Sequence, residues 1–289
     1  PTRRSSDLGG AIFKKGEQPG MNSWLHEPLV RKEHFKKRSY RMDEVKLRVA
    51  FTPPDFHAKW NELICVVVDV LRASSTIVTL LENGCQQVYT LASASDSRAL
   101  SRKQDYILAG ERNGLTLPGF DMGNSPCEVL INDVAEKGVV LTTTNGTRVI
   151  KKVSGARKVL IGCFLNAQAC CERALLLARE YKTGIGIICA AEKNAFVLDD
   201  AFCAGFLVEE ILQIAGLNSI NIELLDSAQA ARRIYHGYPD ILSAFRASNS
   251  GQRLLSIGRE DDFRFCSNVD IFTSVPVLYQ NSYFWCESL

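Results

Sequence analysis

From residue 46 onward, short apolar runs alternate with longer segments in which apolar residues recur every three or four positions. The run 64–69 is a continuous series of mostly β-branched residues that ends in an aspartate. Such a run is typical of a strand that is buried on both faces. The segment 74–83 has helical spacing and is followed by Gly84, a common stop signal. The pattern therefore predicts a strand followed directly by a helix.

The same alternation continues along the chain. Further strands are predicted at 47–51, 88–91, 106–109, 139–141, 159–162 and 184–189, with a short extended piece at 275–277. Further helices are predicted at 95–102, 147–153, 166–181, 199–215, 227–235, 239–247 and 251–256, and a capping box at 125–128 predicts one more helix start. This order favours an α/β fold with a largely parallel sheet covered on both faces. Ligands of such sheets bind beyond the carboxyl ends of the strands.

Residues 1–41 differ from the rest of the chain. They are polar and basic, with a run of charged residues at 31–38 that contains lysines and arginines. They contain no apolar core segment of the kind that a signal peptide has. The segment therefore does not resemble a secretory signal. We expect residues 1–41 to be a disordered or non-native N-terminal extension, and residues 42–289 to form the α/β domain.

Composition narrows the class of protein. The 289 residues carry a net charge of +2, with 46% hydrophobic and 23% charged residues, which is ordinary for a globular protein. The charge gives no indication of a nucleic acid or membrane partner, and no apolar run reaches the roughly 20 residues of a membrane span. The ten cysteines include no C-x-x-C pair, so a zinc ribbon or a disulfide framework is not indicated, and we expect a reducing cytoplasm.

The first candidate site segment follows the strand at 64–69. Asp69 ends that strand, and Arg72 and the candidate phosphate contacts Ser74 and Ser75 open the next helix. Arginine matches a phosphate or sulfonate with two parallel hydrogen bonds. The alternative is that Ser74 is a helix cap and Asp69 a structural hydrogen-bond partner.

The second segment is the loop 110–125, which is rich in glycine and charge. Glu111 and Asp121 are candidate magnesium ligands, because Mg²⁺ prefers a few hard oxygen ligands together with substrate phosphate. Arg112 and Asn124 are candidate contacts for the substrate. The alternative is an ordinary turn-rich loop with a helix cap.

The third segment is 141–148, which reads as a strand, a tight polar loop and a helix start. Such a loop points backbone N–H groups and hydroxyls at one spot on the positive end of a helix dipole, which suits a phosphate. The candidate residues are Thr143, Thr144, Asn145, Gly146, Thr147 and Arg148. The alternative is a plain turn at Asn145-Gly146. A fourth segment, Asp199-Asp200, opens a long helix, where acids often only complement the helix dipole.

Several familiar devices are absent from the sequence. It contains no G-x-x-x-x-G-K-[ST] motif, no cysteine with an arginine six positions later, and no second aspartate two residues after Asp69. The four histidines are scattered, so a histidine-based metal site is not indicated. An NAD-dependent oxidoreductase would depend only on Gly184-Ile185-Gly186, a fragment of a dinucleotide-binding motif.

Five ordered motifs resemble the 2-phosphosulfolactate phosphatase family of coenzyme M biosynthesis. They are 69–75, 119–126, 141–147, 196–205 and the C-terminal set at 250–255 with Gly258, Asp262, Cys266 and 275–276. The resemblance implies a three-layer α/β/α domain with a mostly parallel, mixed central sheet, magnesium-dependent hydrolysis of a phosphate ester, and homodimers.

The leading hypothesis is therefore a Mg²⁺-dependent phosphatase acting on a small anionic phosphoester, by resemblance (2R)-2-phospho-3-sulfolactate. The predicted catalytic residues are Asp69, Arg72 and Asp121, and the predicted metal ligands are Asp69, Glu111, Asp121 and Asp200. Arg112 or Arg148 is expected to meet the sulfonate or carboxylate. The nucleophile is a metal-activated water or, as a second possibility, Asp69 itself. The alternative function is a non-catalytic sugar-phosphate or phosphoanion binding protein.

Overall fold

A computed structural model of the chain describes residues 44–279 and 283–286. The predicted extension at 1–41 lies outside these residues. The strands are β1 (Val45–Ala50), β2 (Ile64–Val68), β3 (Gln87–Thr90), β4 (Ile107–Arg112), β5 (Leu115–Thr116), β6 (Gly138–Thr142), β7 (Lys158–Ile161), β8 (Ile185–Cys189), β9 (Ile222–Leu224), β10 (Pro276–Tyr279) and β11 (Tyr283–Cys286). The helices are α1 (Ala73–Glu82), α2 (Ala94–Gln104), α3 (Pro126–Ile131), α4 (Gly146–Val153), α5 (Ala167–Tyr181), α6 (Leu198–Leu217), α7 (Asp226–His236), α8 (Ile241–Ala247), α9 (Asn249–Ser256) and α10 (Glu260–Phe265).

All the strands of the described residues belong to one mixed sheet, in the order β5-β4-β6-β3-β11-β10-β7-β2-β8-β1-β9. Strands β4, β6 and β3 form one parallel group, and β7, β2, β8, β1 and β9 form another. The C-terminal strands β10 and β11 pair antiparallel with each other and with β7 and β3 on either side. The predicted α/β class with a mostly parallel, mixed sheet is confirmed.

The reversal between the two groups was not predicted. Three antiparallel pairings in a row separate β7 from β3. The strands of one parallel group therefore run in the opposite direction to the strands of the other. The sequence indicated one sheet with a single carboxyl edge. The candidate segments therefore come from strands of two opposed groups.

The core is formed by the continuous apolar strands and the long helix α6. Every residue of β2 and of β8 is buried, as expected for strands covered on both faces. Helix α6 buries 12 of its 20 residues, including Asp199 and Asp200 in its first turn. Burying two adjacent carboxyls is costly unless they have partners. The start of α6 is therefore a candidate for part of a functional site.

Two further sequence inferences can be compared with the structure. All ten cysteines lie in described residues and are free thiols, eight of them buried, in agreement with the absence of a disulfide framework. No helix in the part of the chain that the structure describes is long and apolar enough to cross a bilayer.

Candidate active site

One pocket collects the ends of β2, β4 and β6, the loop after β8, and the starts of α6 and α9. Five carboxylates line this pocket: Asp69, Glu111, Glu192, Asp199 and Asp200. The cations that line it are Arg72, Lys193 and Arg253. Residues as far apart in sequence as Asp69 and Leu254 therefore contribute to a single polar cavity.

Asp69 is held at the turn from β2 to α1. Its backbone N–H donates to the Ser74 hydroxyl over 2.8 Å, and its carboxylate accepts a hydrogen bond from the Ala73 N–H over 3.3 Å. The Ser75 hydroxyl donates to the Val70 carbonyl over 2.9 Å. Both serines are buried, outside the pocket lining. They stabilise the turn that presents Asp69, as the structural alternative supposed, and we do not retain them as phosphate contacts.

Glu111 joins the loop after β4 to the loop after β6. One carboxylate oxygen accepts hydrogen bonds from the backbone N–H and the hydroxyl of Thr144, both over 2.8 Å. The other accepts a hydrogen bond from the Gly114 N–H over 2.8 Å. Both oxygens of this predicted metal ligand are thus engaged in positioning the polar loop.

Asp200 performs a similar task on the other side of the pocket. Its two oxygens accept hydrogen bonds from the Val70 N–H over 3.0 Å and the Ala191 N–H over 3.2 Å. The carboxylate therefore connects the turn after β2 to the loop after β8. Because each oxygen already has a backbone donor, Asp200 is better suited to holding the site together than to providing a metal's main ligand.

Asp199 and Asn124 are different, because each buries an oxygen that is not paired. Within the described residues, the Oδ1 atoms of Asp199 and Asn124 have no hydrogen-bond partner. Both side chains line the pocket and are at most 5% exposed. A buried unpaired oxygen costs free energy, so these two atoms are natural positions for a cation or a donor group of a ligand.

Burial and mutual repulsion shift the pKa values of the pocket carboxyls upward. The pKa of Asp69 rises to about 7, mainly because of burial and also because of Asp199 and Glu111, although the Ala73 N–H and Arg72 oppose the shift. The pKa of Asp199 rises to about 6, chiefly through burial, against hydrogen bonding from Ser250 and Ser248. The pKa of Asp200 is also raised, by burial and then by the charges of Asp199 and Asp69. The pocket is therefore short of positive charge.

Arg72 lines the pocket from a buried network. Its guanidinium donates to Asp262 over 2.5 Å and to the Gly114 carbonyl over 3.0 Å. Asp262 also accepts hydrogen bonds from the Ser125 hydroxyl over 2.6 Å and the Cys127 N–H over 3.2 Å. Arg72 and Asp262 are both less than 5% exposed, so helix α10 determines where this arginine points.

The loop from Thr143 to Asn145 lines the pocket and leads into α4, which begins at Gly146. Thr143 is buried, and a Cβ on Gly146 would lie 2.9 Å from the Asp69 carboxylate. The backbone of Thr147 lies in the first turn of α4. The open N–H groups of a helix start, facing a pocket, suit an anion.

Besides the two serines, the predicted residues Arg112, Arg148 and Asp121 lie outside this pocket lining. Arg112 donates to the Ala92 carbonyl over 2.7 Å and to the Glu111 carbonyl over 2.9 Å. The side chain of Arg148 is exposed on α4. Asp121 is exposed and accepts a hydrogen bond from the Leu108 N–H over 2.8 Å.

The position of Asp121 follows from the course of the chain. Strand β5 runs antiparallel to the end of β4 and takes the chain back toward the start of β4. Asp121 therefore lies beside Leu108, which is three residues before Glu111, or about 10 Å along a strand. Only Asn124, a few residues later, returns to the pocket. We therefore do not carry Asp121, Arg112 or Arg148 forward as site residues.

Comparison with known proteins decides the family. Residues 50–281 match the family model described as 2-phosphosulpholactate phosphatase. The chain belongs to the 2-phosphosulfolactate phosphatase family. It is 36% identical over 213 residues to a probable 2-phosphosulfolactate phosphatase of Clostridium novyi (73% of this chain, 87% of the relative). It is 35% identical over 238 residues to a protein of the same description from Deinococcus radiodurans (81% and 93%).

Family membership confirms two predictions. The resemblance drawn from the five motifs is correct, and the chain is an enzyme of the phosphoric monoester hydrolase class. The 2-phosphosulfolactate phosphatase model covers nearly the whole predicted α/β domain, and the pocket residues all lie inside its range.

Sequence reasoning missed part of the pocket of this family member. Glu192, Lys193, Ser250 and Arg253 line it but were not among the predicted site residues. They follow the end of β8 or lie on the short helix α9. The available signals were the strand end at Cys189, since the loop after a strand was expected to carry function, and the motif at 250–255, which includes Ser250 and Arg253.

The oxygen atoms that line the pocket are of the kind that magnesium prefers, but they do not form a complete set of protein ligands. No group of three or more His, Cys, Asp or Glu side chains among the described residues is close enough to hold a metal ion. Mg²⁺, however, often uses only one or two carboxylates and takes its other ligands from water and phosphate. The unpaired oxygens of Asp199 and Asn124, together with Asp69, match that requirement.

The raised pKa of Asp199 leads to a testable effect on stability. A carboxyl whose folded-state pKa is about 6, against 3.8, favours folding below pH 4 and loses that contribution as the pH rises through 6. The loss amounts to about 3 kcal/mol, at about 1.4 kcal/mol per pKa unit. We expect Asp199→Asn to unfold at a higher urea concentration than the wild type at pH 7.5 in EDTA, with a smaller difference at pH 4.5.

The matched control is Asp133→Asn. Asp133 is an exposed carboxylate whose pKa is lowered by Lys137, so its contribution is present above its ordinary pKa and is lost as the pH falls. If the difference in unfolding urea concentration between wild type and Asp199→Asn does not grow with pH, Asp199 does not carry a destabilising buried charge.

Gly146 allows the close approach of α4 to Asp69. A Cβ there would lie 2.9 Å from the Asp69 carboxylate and 3.0 Å from the Ala73 side chain. We expect Gly146→Ala to lower kcat/KM by about tenfold or more, since a displacement of about 1 Å at a reacting centre is costly. Steady-state kinetics and thermal unfolding measure the two effects. Gly216→Ala is the control, because no atom lies within 4 Å of its added Cβ; equal effects of both changes on kcat/KM would show that the fit at Gly146 does not matter.

Proposed function

We propose that this protein hydrolyses (2R)-2-phospho-3-sulfolactate to 3-sulfolactate and phosphate with the help of Mg²⁺. The observation that carries the proposal is the meeting of Asp69, Asp199 and the loop 143–145 in one pocket. It places acidic oxygens beside the start of a helix that suits a phosphate. The descriptions of the Clostridium novyi and Deinococcus radiodurans relatives support the same substrate.

Asp69 and Asp199 are the side chains that would hold magnesium, with the Asn124 oxygen as a further ligand. Glu111 and Asp200 already receive two or more hydrogen bonds each and keep the loops in place. The ion would offset the shortage of positive charge in the pocket and neutralise negative charge on the phosphoryl group.

The chain's own groups would bind and orient the phosphoryl group. The loop from Thr143 to Asn145 lines the pocket, and the N–H groups at the start of α4 would donate hydrogen bonds to the phosphate oxygens, while the N–H and hydroxyl of Thr144 hold Glu111. Arg72, held by Asp262, would add a fixed positive charge where negative charge develops. The attacking group is a water molecule in the preferred scheme and Asp69 in the second.

A direct assay tests the activity. The purified protein is incubated with 2-phosphosulfolactate, p-nitrophenyl phosphate and a panel of phospho-hydroxyacids, and phosphate release is measured with Mg²⁺ or with EDTA. We expect the fastest release from 2-phosphosulfolactate, with loss of activity in EDTA and recovery on adding Mg²⁺. Binding of these compounds without release of phosphate would favour the non-catalytic phosphoanion protein instead.

Trapping distinguishes the two nucleophiles. Rapid acid quench with ³²P-labelled substrate should leave no label on the protein if water attacks. A labelled protein that disappears in Asp69→Asn would establish Asp69 as the nucleophile.

The cellular setting is part of the same proposal. We propose a cytoplasmic homodimer that acts in coenzyme M biosynthesis, since the resemblance implies homodimers and the free thiols suit a reducing compartment. Light scattering during gel filtration measures the oligomeric state, and a mass of one chain would exclude the dimer.

A further inference from the structure

The three cations that line the pocket within the described residues are not equivalent. Arg72 is buried and engaged with Asp262 and a backbone carbonyl. Lys193 and Arg253 lie at the more open side, where Lys193 is exposed and the Arg253 side chain is 42% exposed. Only these two are therefore free to rearrange around a ligand.

Arg253 is placed at the pocket by helix α9. Ser250 lies one turn earlier on the same face of the helix and, like Asp199, lines the pocket. Arg253 forms an ion pair with Glu192, with an N–O distance of 2.8 Å. The arginine is thus one helical turn from Ser250 at the pocket, and the Glu192 carboxylate, from the loop after β8, pairs with its guanidinium.

Lys193 connects this position to the phosphate-binding loop. Its backbone N–H donates to the Asn145 side-chain oxygen over 3.3 Å. The backbone turns sharply here, with positive φ at Ala191, Lys193 and Asn194. Within the described part of the chain, the Lys193 ammonium forms no ion pair. The two cations therefore reach the pocket from the loop after β8 and from α9, whereas Arg72 lies in the turn between β2 and α1.

The charge of the substrate calls for such a pair. The proposed substrate has a sulfonate and a carboxylate besides its phosphate, whereas the pocket has five carboxylates and only three cations. In the proposed function, magnesium and Arg72 would serve the phosphoryl group. The remaining acidic groups need partners, and the guanidinium of arginine binds the oxygens of a sulfonate or carboxylate in the same two-pronged way.

We propose that Arg253, together with Lys193, binds the sulfonate of the substrate, and that the Glu192 carboxylate takes that place when no substrate is bound. This assignment rests on the proposed function. It replaces the earlier expectation of Arg112 or Arg148, whose side chains lie outside the pocket. Specificity for a phosphoester that also carries a sulfonate would then lie in the loop after β8 and in α9.

Substrate discrimination is the first test. The ratio of kcat/KM for 2-phosphosulfolactate to that for 2-phospholactate, which lacks the sulfonate, is measured with Mg²⁺. We expect Arg253→Met to reduce this ratio by about 50-fold, and Arg253→Lys by less, because a lost charged contact penalises only the substrate that makes it. Arg264→Met is the control, since Arg264 forms an exposed ion pair on α10 and lies outside the pocket lining. An unchanged ratio in Arg253→Met would overturn the assignment.

Direct binding is the second test and does not depend on turnover. Calorimetry with 3-sulfolactate should show an affinity at least tenfold weaker for Arg253→Met and several-fold tighter for Glu192→Gln, which removes the competing carboxylate. An affinity for 3-sulfolactate that is the same in all three proteins overturns the subsite. If the wild type cleaves neither substrate but binds 3-sulfolactate through Arg253, the proposed function fails while the anion subsite stands.

Discussion

Replacing Asp69 with asparagine is expected to lower kcat/KM for the phosphoester by on the order of 10³-fold, the size of effect seen when a preorganised electrostatic contact is removed. Asp69 combines three features of a reacting group. It directly follows the buried strand β2, its turn is fixed by Ser74, and its carboxylate lies beside Gly146 at the start of α4. Steady-state kinetics with saturating Mg²⁺ measure the loss.

The fold of Asp69→Asn should be intact. Burial raises the pKa of Asp69 to about 7, so a neutral amide removes a charge that the folded state accommodates poorly. Thermal unfolding in EDTA should therefore show no loss of stability. Asp121→Asn is the matched control: this carboxylate is outside the pocket and bonded to a backbone N–H, and kcat/KM should change less than threefold. Near-wild-type turnover by Asp69→Asn would remove Asp69 from the reaction.

Removal of the Asp262 carboxylate is expected to have the largest effect on stability. Asp262→Ala leaves the Arg72 guanidinium buried without its anion and removes acceptors from Ser125 and Cys127. Breaking a buried ion pair in this way costs about 3–5 kcal/mol. Urea unfolding at pH 7.5 should show that decrease in the free energy of unfolding.

Two further variants separate charge from packing. The double change Arg72→Met/Asp262→Leu should be more stable than Asp262→Ala alone, because neither charge then remains unpaired in the interior. Glu260→Ala is the control on the same helix: its ion pair with Arg264 is about 60% exposed on both sides, and exposed pairs contribute about 0–1 kcal/mol. A decrease for Asp262→Ala no larger than that for Glu260→Ala would contradict the buried network.

Local elements were predictable because their signals are local. The apolar run before Asp69 became β2 with every residue buried, and the segment after it became α1. The sequence did not predict strand β9, helix α10 or the pairing of the two C-terminal strands. Strand β9 has only three residues, and α10 has charged residues at four of its six positions, so neither has a hydrophobic period that could be recognised.

The site was predictable in part for the same reason. Asp69, Arg72 and the loop 143–145 follow strand ends and line the pocket. Glu111 does as well, although its oxygens bind loop N–H groups. Asp121 belongs to an equally polar segment, but the turn back along β4 takes it away. A motif shows which residues are near each other in sequence. The antiparallel pair of β4 and β5 decides which of them reach the pocket.

The amino-acid sequence by itself determined the alternation of strands and helices, the polar turns after the strands, and the family. These depend on hydrophobic period, turn chemistry and motif order, which are properties of short stretches. Only the tertiary structure decided that β10 and β11 separate two opposed parallel groups, that Asp262 holds Arg72, and that Glu192 and Arg253 meet beside Asp199. The physical reason is that charge pairing and burial act between side chains that are close in space, whatever their separation along the chain.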